Sequence, residues 1–316
     1  GDVYKRQMMK SSPANSRSEA RLEVNDRGDV TLYMSVIEMG QGAHTAMAQI
    51  AAEAMDVPFE RMIVASTDTK YTPFESSTSS SRSTFMMGTA IRRSAEALKE
   101  KLIKAAEACF ELSSEELTIE KGLVIAKEDP GKSMTYVEVL QRNQLEKLDA
   151  LAEFKVSGTY DPETGQGVLS SHFHQGAGAC EVEVDTETGK VRVLRYYGSS
   201  YAGQIVNPTM VKLQNDGNVI YGLGPAVLEE MVFDHGQLIN PNLSDYMVPS
   251  FLDIPEELHT LSLESEKGEL HGIGEMTLPS VAPAIGNAIY DAIGVRIYDL
   301  PITAERVLRA LNDDNS

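Results

Sequence analysis

Glu275 stands in the run Gly272-Ile273-Gly274-Glu275-Met276-Thr277-Leu278-Pro279, a single carboxylate between glycines and a proline. Glycine lets the backbone approach a ligand closely and take positive φ, and proline stiffens the exit. Such a loop holds one carboxylate still, which a general base requires. Two other stretches suit anions. Gly40-Gln41-Gly42 joins a strand-like run to a helix-like one, and residues 76–84, rich in serine, do the same before a second helix. Helix N-termini present N–H groups without intrahelical partners and a partial positive charge, which favours phosphate or another anion. Serine hydroxyls add donors, and Arg82 supplies a charged fork. Singly, each stretch also has an ordinary reading: Gly-x-Gly as a common turn, the serine run as a solvated loop. Neither has the glycine pattern of a dinucleotide fold or of a P-loop.

The elements that must position these loops follow from periodicity. Residues 20–24 and 30–36 alternate apolar and polar around Asn25-Asp26-Arg27-Gly28-Asp29 and predict a hairpin. Residues 45–55 predict a helix with Ala, Met and Ile on one face, closed by Val57-Pro58. A short strand follows at 63–66 and a long helix at 86–110. Residues 113–160 read as a small α/β excursion, with strands at 117–119 and 123–125 and a helix near 136–141. A second hairpin, 180–185 and 190–194, flanks Thr186-Glu187-Thr188-Gly189. Asn207-Pro208 opens a helical segment over 209–231. Strand-like pieces at 238 and 261–263, the Glu275 loop and a final helix pair end the chain. Strands mix with helices without a βαβ rhythm, so the fold class is α+β, with mixed sheets and packed helices. Residues 1–19 are expected to be a leader outside the fold. The first seven read either as a scar or as a natural disordered tail.

Charge and cysteine usage exclude several classes. The 316 residues carry a formal net charge of −19, which repels nucleic acid and anionic membrane. No run is long enough to span a bilayer, and no secretory signal is present. Two distant cysteines, Cys109 and Cys180, make no disulfide framework and fit a reducing compartment; the cytoplasm is expected. Two cysteines also fall short of the four that an iron–sulfur cluster takes. His172 and His174 have a metal-like spacing but read as incidental.

Taken together, the stretches fall into one order. Glu38-Met39-Gly40-Gln41-Gly42-Ala43-His44-Thr45 resembles the Met-Gly-Gln-Gly-x-x-Thr motif of the molybdenum hydroxylases, the xanthine dehydrogenase and aldehyde oxidoreductase family. Asp68-Thr69, then Ser80-Ser81-Arg82-Ser83-Thr84 and Gly88, resemble its next cofactor loop. Residues 181–185, Thr188-Gly189, Asn207-Pro208, Gln214, Gly274-Glu275, Asn287-Ala288-Ile289 and Leu300-Pro301-Ile302 follow in the family's order. The resemblance covers residues 20–311. It implies two interleaved subdomains of a molybdopterin-binding region, 20–165 and 166–316, the second carrying the Glu275 loop. It implies a molybdopterin cofactor with molybdenum, in the cytosine dinucleotide form of bacterial members. Met39, Gly40, Gln41 and Gly42 would meet the pterin and its phosphate, Ser80, Ser81 and Ser83 would cradle it near the metal, and Gln214 would reach it by its amide. The pterin supplies the metal's sulfur ligands, so no protein ligand to the metal is expected. Glu275 matches the family's general base, acting while an N-heterocycle (a purine or nicotinate) or an aldehyde gains oxygen at an electron-poor carbon. The terminal ligand, sulfur or selenium, stays open.

Three departures stand out. Ser200-Tyr201-Ala202-Gly203 lacks the Asp that the family often has there. Asn215-Asp216-Gly217-Asn218 follows Gln214 where paired glycines are usual, and Met276 follows Glu275 where proline is frequent. The family's first cofactor-binding half has no counterpart in these residues. The chain is therefore expected to be a fragment, or to be similar to the medium molybdopterin subunit of nicotinate dehydrogenase. Either way the expected partners are a first molybdopterin-binding half or subunit, iron–sulfur and FAD subunits and a small-molecule substrate, with no nucleic acid and no membrane. A non-catalytic module that holds cofactor or assists assembly is the other reading of the same residues.

Overall fold

The computed structural model describes residues 4–8, 15–168, 170 and 174–314. In chain order the elements begin β1 (Tyr4–Met8), β2 (Asn15–Asn25), β3 (Val30–Tyr33), α1 (Ala43–Met55), β4 (Met62–Val64), α2 (Ser83–Phe110) and β5 (Leu117–Glu120). They continue with β6 (Leu123–Ala126), β7 (Asp129–Thr135), α3 (Tyr136–Arg142), β8 (Lys147–Ser157), β9 (His174–Val184) and β10 (Val191–Gly203). The chain ends with α4 (Pro208–Val227), β11 (Phe233–Asp234), β12 (Gln237–Leu238), β13 (Glu257–Glu264), α5 (Val281–Ile293) and α6 (Ala304–Asp314). Two compact units result: residues 11–172 with 270–272, and residues 1–10 with 173–269 and 273–316.

The first unit is built on a sheet of order β4-β3-β2-β8. β2 and β3 form the expected hairpin, and Gly28 takes φ 84° in its turn. β3 and β4 run parallel, so the sheet is mixed. Along β2, Ser16, Ser18, Ala20, Leu22 and Val24 are buried in strict alternation, one face of a pleated strand. Helix α2 covers that face. Its buried side chains, Met87, Ile91, Ala95, Leu98, Leu102 and Ala106 among them, recur every three or four residues, an apolar stripe of helical period. Ser94 ties helix to sheet: its Oγ accepts the Leu22 N–H at 3.1 Å and donates to the Ala150 carbonyl at 2.8 Å. A second sheet, β5-β6-β7, and α3 complete the unit. α3 starts in a reciprocal Thr135/Glu138 capping box, which satisfies two N–H groups that the helix leaves unpaired.

The second unit centres on a sheet of order β1-β9-β10-β13. The first two pairings are antiparallel and β10–β13 is parallel. Tyr196, Val219, Leu223, Val281, Ile285 and Ile289 bring α4 and α5 onto the sheet in one core. Gly178 is required there, since a Cβ would strike the Tyr196 hydroxyl and lie 2.7 Å from Ser280 Oγ. α4 opens with the Asn207 side chain accepting the Met210 N–H at 3.1 Å and with Pro208 in the first turn, where proline's missing N–H costs nothing.

Two expectations need correction. Residues 4–8 and 15–19, expected in a leader outside the fold, lie in strands. Tyr4–Met8 pair with residues 174–178 of β9, and residues 15–19 are the start of β2. Pairing covers an edge of β9 that would otherwise present unpaired N–H and C=O groups. Residues 147–157 are not part of a local excursion; they form β8, which pairs with β2 along its whole length. Among the described residues no helix is long and apolar enough to cross a membrane.

Candidate functional site

In the first unit the two predicted anion loops are brought together. The Ile37 N–H donates to Thr78 Oγ1 at 2.9 Å. Gln41 holds the same residue from the other side, its Nε2 donating to the Ile37 carbonyl at 2.9 Å while its Oε1 accepts the Met39 N–H at 2.6 Å. The Gln41 amide thus braces residues 37–41 and keeps one N–H and one lone pair.

The N-terminus of α1 does not wait for an external anion. Glu38 Oε1 accepts the N–H groups of Gly40 and Gly42 at 2.9 and 3.0 Å, and Oε2 that of His44 at 3.0 Å. A carboxylate from the same chain has taken the place expected for phosphate, because it is close and pays little ordering entropy. Burial raises the Glu38 carboxyl, but the His44, Gly42 and Gly40 N–H groups outweigh it, and the group lies below the ordinary carboxylate value. The contribution to stability is therefore present above that ordinary value and lost as pH falls through the lowered one. Amide-exchange protection of Gly40, Gly42 and His44 should fall as solution is acidified below pH ~4, and Glu38→Gln should weaken it at every pH; protection unchanged in the variant would contradict the cap.

The serine loop carries backbone strain. Ser80 and Ser81 sit at φ 53° and 51°, a left-handed region that costs an L-residue ~1–2 kcal/mol each. Such strain persists only where surroundings enforce it. Arg82 is part of that enforcement, which corrects its expected role as a fork for an anion. It is fully buried and turned inward, pairing with Glu75 at 2.7 Å and donating to the Ser77 carbonyl at 2.7 Å and Ser18 Oγ at 3.3 Å. Burial raises the Glu75 carboxyl against the lowering pull of Ser18, Arg82 and Ser77. Ser83 is the first residue of α2. A second restraint comes from Gly272, where a Cβ would collide with the Ser81 carbonyl oxygen and lie 3.3 Å from the Arg82 nitrogen. Leu270 locks the same segment to α2, since a Cβ at Gly88 would lie 2.7 Å from Leu270 Cδ1.

In the second unit Glu275 is half-buried in a turn before α5. Two residues of α4 bracket it. Gln214 Nε2 donates to the Gly274 carbonyl at 3.2 Å, and the Thr277 hydroxyl donates to the Asn215 carbonyl at 3.0 Å. Gln214, expected at the pterin, is thus engaged beside the carboxylate. Thr277 was not singled out from the sequence; a threonine two residues past the candidate base is the only signal it carries. Gly176 of β9 lets the strand pass closely, as a Cβ there would lie 3.1 Å from the Met276 carbonyl. Asn218 is buried with Nδ2 lacking a hydrogen-bond partner.

The remaining candidates are quieter. Met86 and Met87 are core residues of α2. Cys180 lies on β9 with its thiol pushed up to about 12 by burial, far from a reactive thiolate. His172 lies outside the described residues, as does the His174 side chain. Among the described residues no cluster of His, Cys, Asp or Glu could hold a metal ion.

Whether these residues fit a pterin cofactor turns on room and donors. Gly40, at φ 95°, has no atom within 4 Å of where a Cβ would stand, and Met39 is 66% exposed. Residues 39–41 therefore form an open rim with held backbone and spare amide valences on Gln41. They fit such a group by side chains and loop backbone rather than by the amides of the helix start.

The molybdopterin cofactor-binding domain family matches residues 3–255 of the chain. The xanthine dehydrogenase molybdenum-binding subunit of Escherichia coli O157:H7 is 32% identical over 302 residues, covering 91% of this chain and 38% of that protein. The nicotine 6-hydroxylase large subunit of Paenarthrobacter nicotinovorans is 32% identical over 302 residues, covering 92% of this chain and 36% of that one. The crystal structure of quinoline 2-oxidoreductase from Pseudomonas putida 86 superposes with a TM-score of 0.85 at 27% identity, over 98% of this chain and 41% of that chain. The chain belongs to the molybdopterin cofactor-binding domain family of the molybdenum hydroxylases. It spans less than two fifths of the length of these two curated relatives.

Proposed function

We propose that this chain is part of the molybdenum-binding subunit of a hydroxylase-type dehydrogenase, with Glu275 as general base. The observation that carries the catalytic reading is the bracket on Glu275: hydrogen bonds on both sides, at Gly274 and Thr277, fix the carboxylate's turn. A general base must be aimed to within hydrogen-bond reach of its proton. The interlocked loops at 39–42 and 77–83 support the binding role, because strained serines against a glycine that tolerates no Cβ are a costly arrangement for mere chain reversal.

When bound, the molybdenum–pterin group supplies oxygen insertion coupled to two-electron oxidation. The chain's own residues do the rest. Met39, Gly40, Gln41 and Gly42 orient the pterin end, in the cytosine dinucleotide form. Ser80, Ser81 and Ser83 hold the other edge. Glu275 takes up the proton released as the substrate carbon gains oxygen. Gln214 and Thr277 are positioning residues that act through the backbone on either side of it. Xanthine, nicotine and quinoline, named in the relatives, share an electron-poor ring carbon beside nitrogen; an N-heterocycle is the preferred substrate class, with an aldehyde second. Iron–sulfur and FAD groups on other domains or subunits would accept the electrons.

Molybdenum and pterin content test this reading. The assembly purified through this chain should hold about one molybdenum per chain. Gly272→Ala pushes a methyl into the Ser81 carbonyl, an overpacking of ~1–3 kcal/mol, and should lower that content by about tenfold. An assembly without molybdenum, or a Gly272→Ala protein fully loaded, would contradict it.

A further inference from the structure

The segment after α4 is ordered but faces outward. Among its residues Met231, Phe233, Leu243, Met247, Phe251 and Leu252 are all exposed, the last two at 92% and 95%. This is not a loose loop. Asn240 Nδ2 donates to the Glu230 carbonyl at 2.6 Å while its Oδ1 accepts the Val232 N–H at 2.9 Å. The Ile239 N–H reaches the Val232 carbonyl at 2.9 Å. The Tyr246 hydroxyl donates to Glu229 at 2.5 Å, and Asp253 accepts from the Ser250 hydroxyl and N–H at 2.7 and 2.8 Å. The backbone is fixed while large apolar side chains are left in water, at ~25 cal/mol for each Å² so exposed. Clustered exposure of this kind marks a covered surface in the working protein.

We infer that residues 231–252 are the docking surface for the polypeptide that completes the molybdenum-binding subunit, whether fused to this chain or separate. The inference rests on the functional reading above. Two observations select this occupant over a second copy. The two curated relatives devote more than three fifths of their length to polypeptide outside the part these residues match, so a large covering body belongs to those subunits. The charge pattern also argues against self-pairing. Residues 231–252 carry Asp234 and Asp245 and no Lys or Arg, so two copies face to face would set like charges against each other. The matching face should be apolar at its centre with a basic rim. Because the segment is already held in shape, docking loses little ordering entropy.

Hydrogen–deuterium exchange on the chain alone and on the assembly purified from native cells tests this. In the assembly, amides of 231–252 should exchange more slowly by an order of magnitude or more. Phe251→Asp combined with Leu252→Asp should release a separate completing polypeptide, or expose the segment to exchange in a fused one, with the circular dichroism of the chain unchanged. Leu151→Asp, an exposed leucine of β8 in the first unit, should do neither. Equal exchange in both states would overturn the inference. So would a chain recovered from native cells with no further polypeptide fused or bound, or a concentration-dependent homodimer of the chain abolished by the double variant. A Glu275→Gln assembly with full activity would sink the functional reading and leave the exchange result standing.

Discussion

Replacing Glu275 by Gln in the assembled enzyme should lower kcat by about 10²–10⁴-fold, the usual worth of a positioned general base, while molybdenum content and KM stay near the parent values. The substitution keeps shape and removes the ability to take a proton. Neither bracketing hydrogen bond uses the Glu275 side chain: Gln214 reaches the Gly274 carbonyl, and Thr277 reaches the Asn215 carbonyl. The turn should therefore survive, and the pH–rate profile should lose the limb that reports deprotonation of the base. Gln214→Ala provides the contrast. It removes one hydrogen bond of ~0.5–1.5 kcal/mol, so kcat should fall by roughly tenfold or less with the pH dependence still present. A Glu275→Gln enzyme with parental kcat would dismiss the carboxylate as base.

Arg82→Leu is expected to give the largest loss of stability in the first unit, ~3–5 kcal/mol, the cost of stranding one member of a buried ion pair. Glu75 would be left with its Arg82 contact gone and its side chain only 3% exposed. Adding Glu75→Leu should recover most of the loss, because an apolar pair of similar volume replaces the charges. Urea melts of the parent, single and double variants decide it; a single variant within 1 kcal/mol of the parent, roughly, would show that Arg82 does not clamp the serine loop. The pH dependence has a definite sign. Glu75 is raised in the folded state, so the folded form binds its proton at a pH where the unfolded chain has lost it. Its contribution is fully present below the ordinary carboxylate value and declines as pH rises through the raised one. The melting temperature of Arg82→Leu should accordingly gain more from acidification than that of the parent.

The order of elements was readable where side-chain period and turn chemistry agree. The β2–β3 hairpin, α1, α2 and the β9–β10 hairpin all fall where alternation, helical spacing and Gly28 or Gly189 place them. β8 was not readable. Lys-Leu-Asp-Ala-Leu-Ala-Glu lacks β-branched residues through its first seven positions, and only pairing with β2 across the sheet makes it a strand. The candidate loops were visible as loops, but their internal chemistry was not. That Glu38 caps α1, that Arg82 turns inward and that Gln214 serves the Gly274 carbonyl are each contacts between residues whose separation in sequence or choice of rotamer no pattern encodes. Gly272 carried half its meaning in the sequence. A glycine near the base suggested close approach, and the Ser81 carbonyl is what it approaches.

Anomalous diffraction at the molybdenum edge, from crystals of the assembly containing this chain, is the most direct measurement. The account predicts one peak beside the Glu275 carboxylate, close enough for that carboxylate to take a proton from the reacting group. A molybdenum peak remote from Glu275, with solvent in front of the carboxylate, would contradict it.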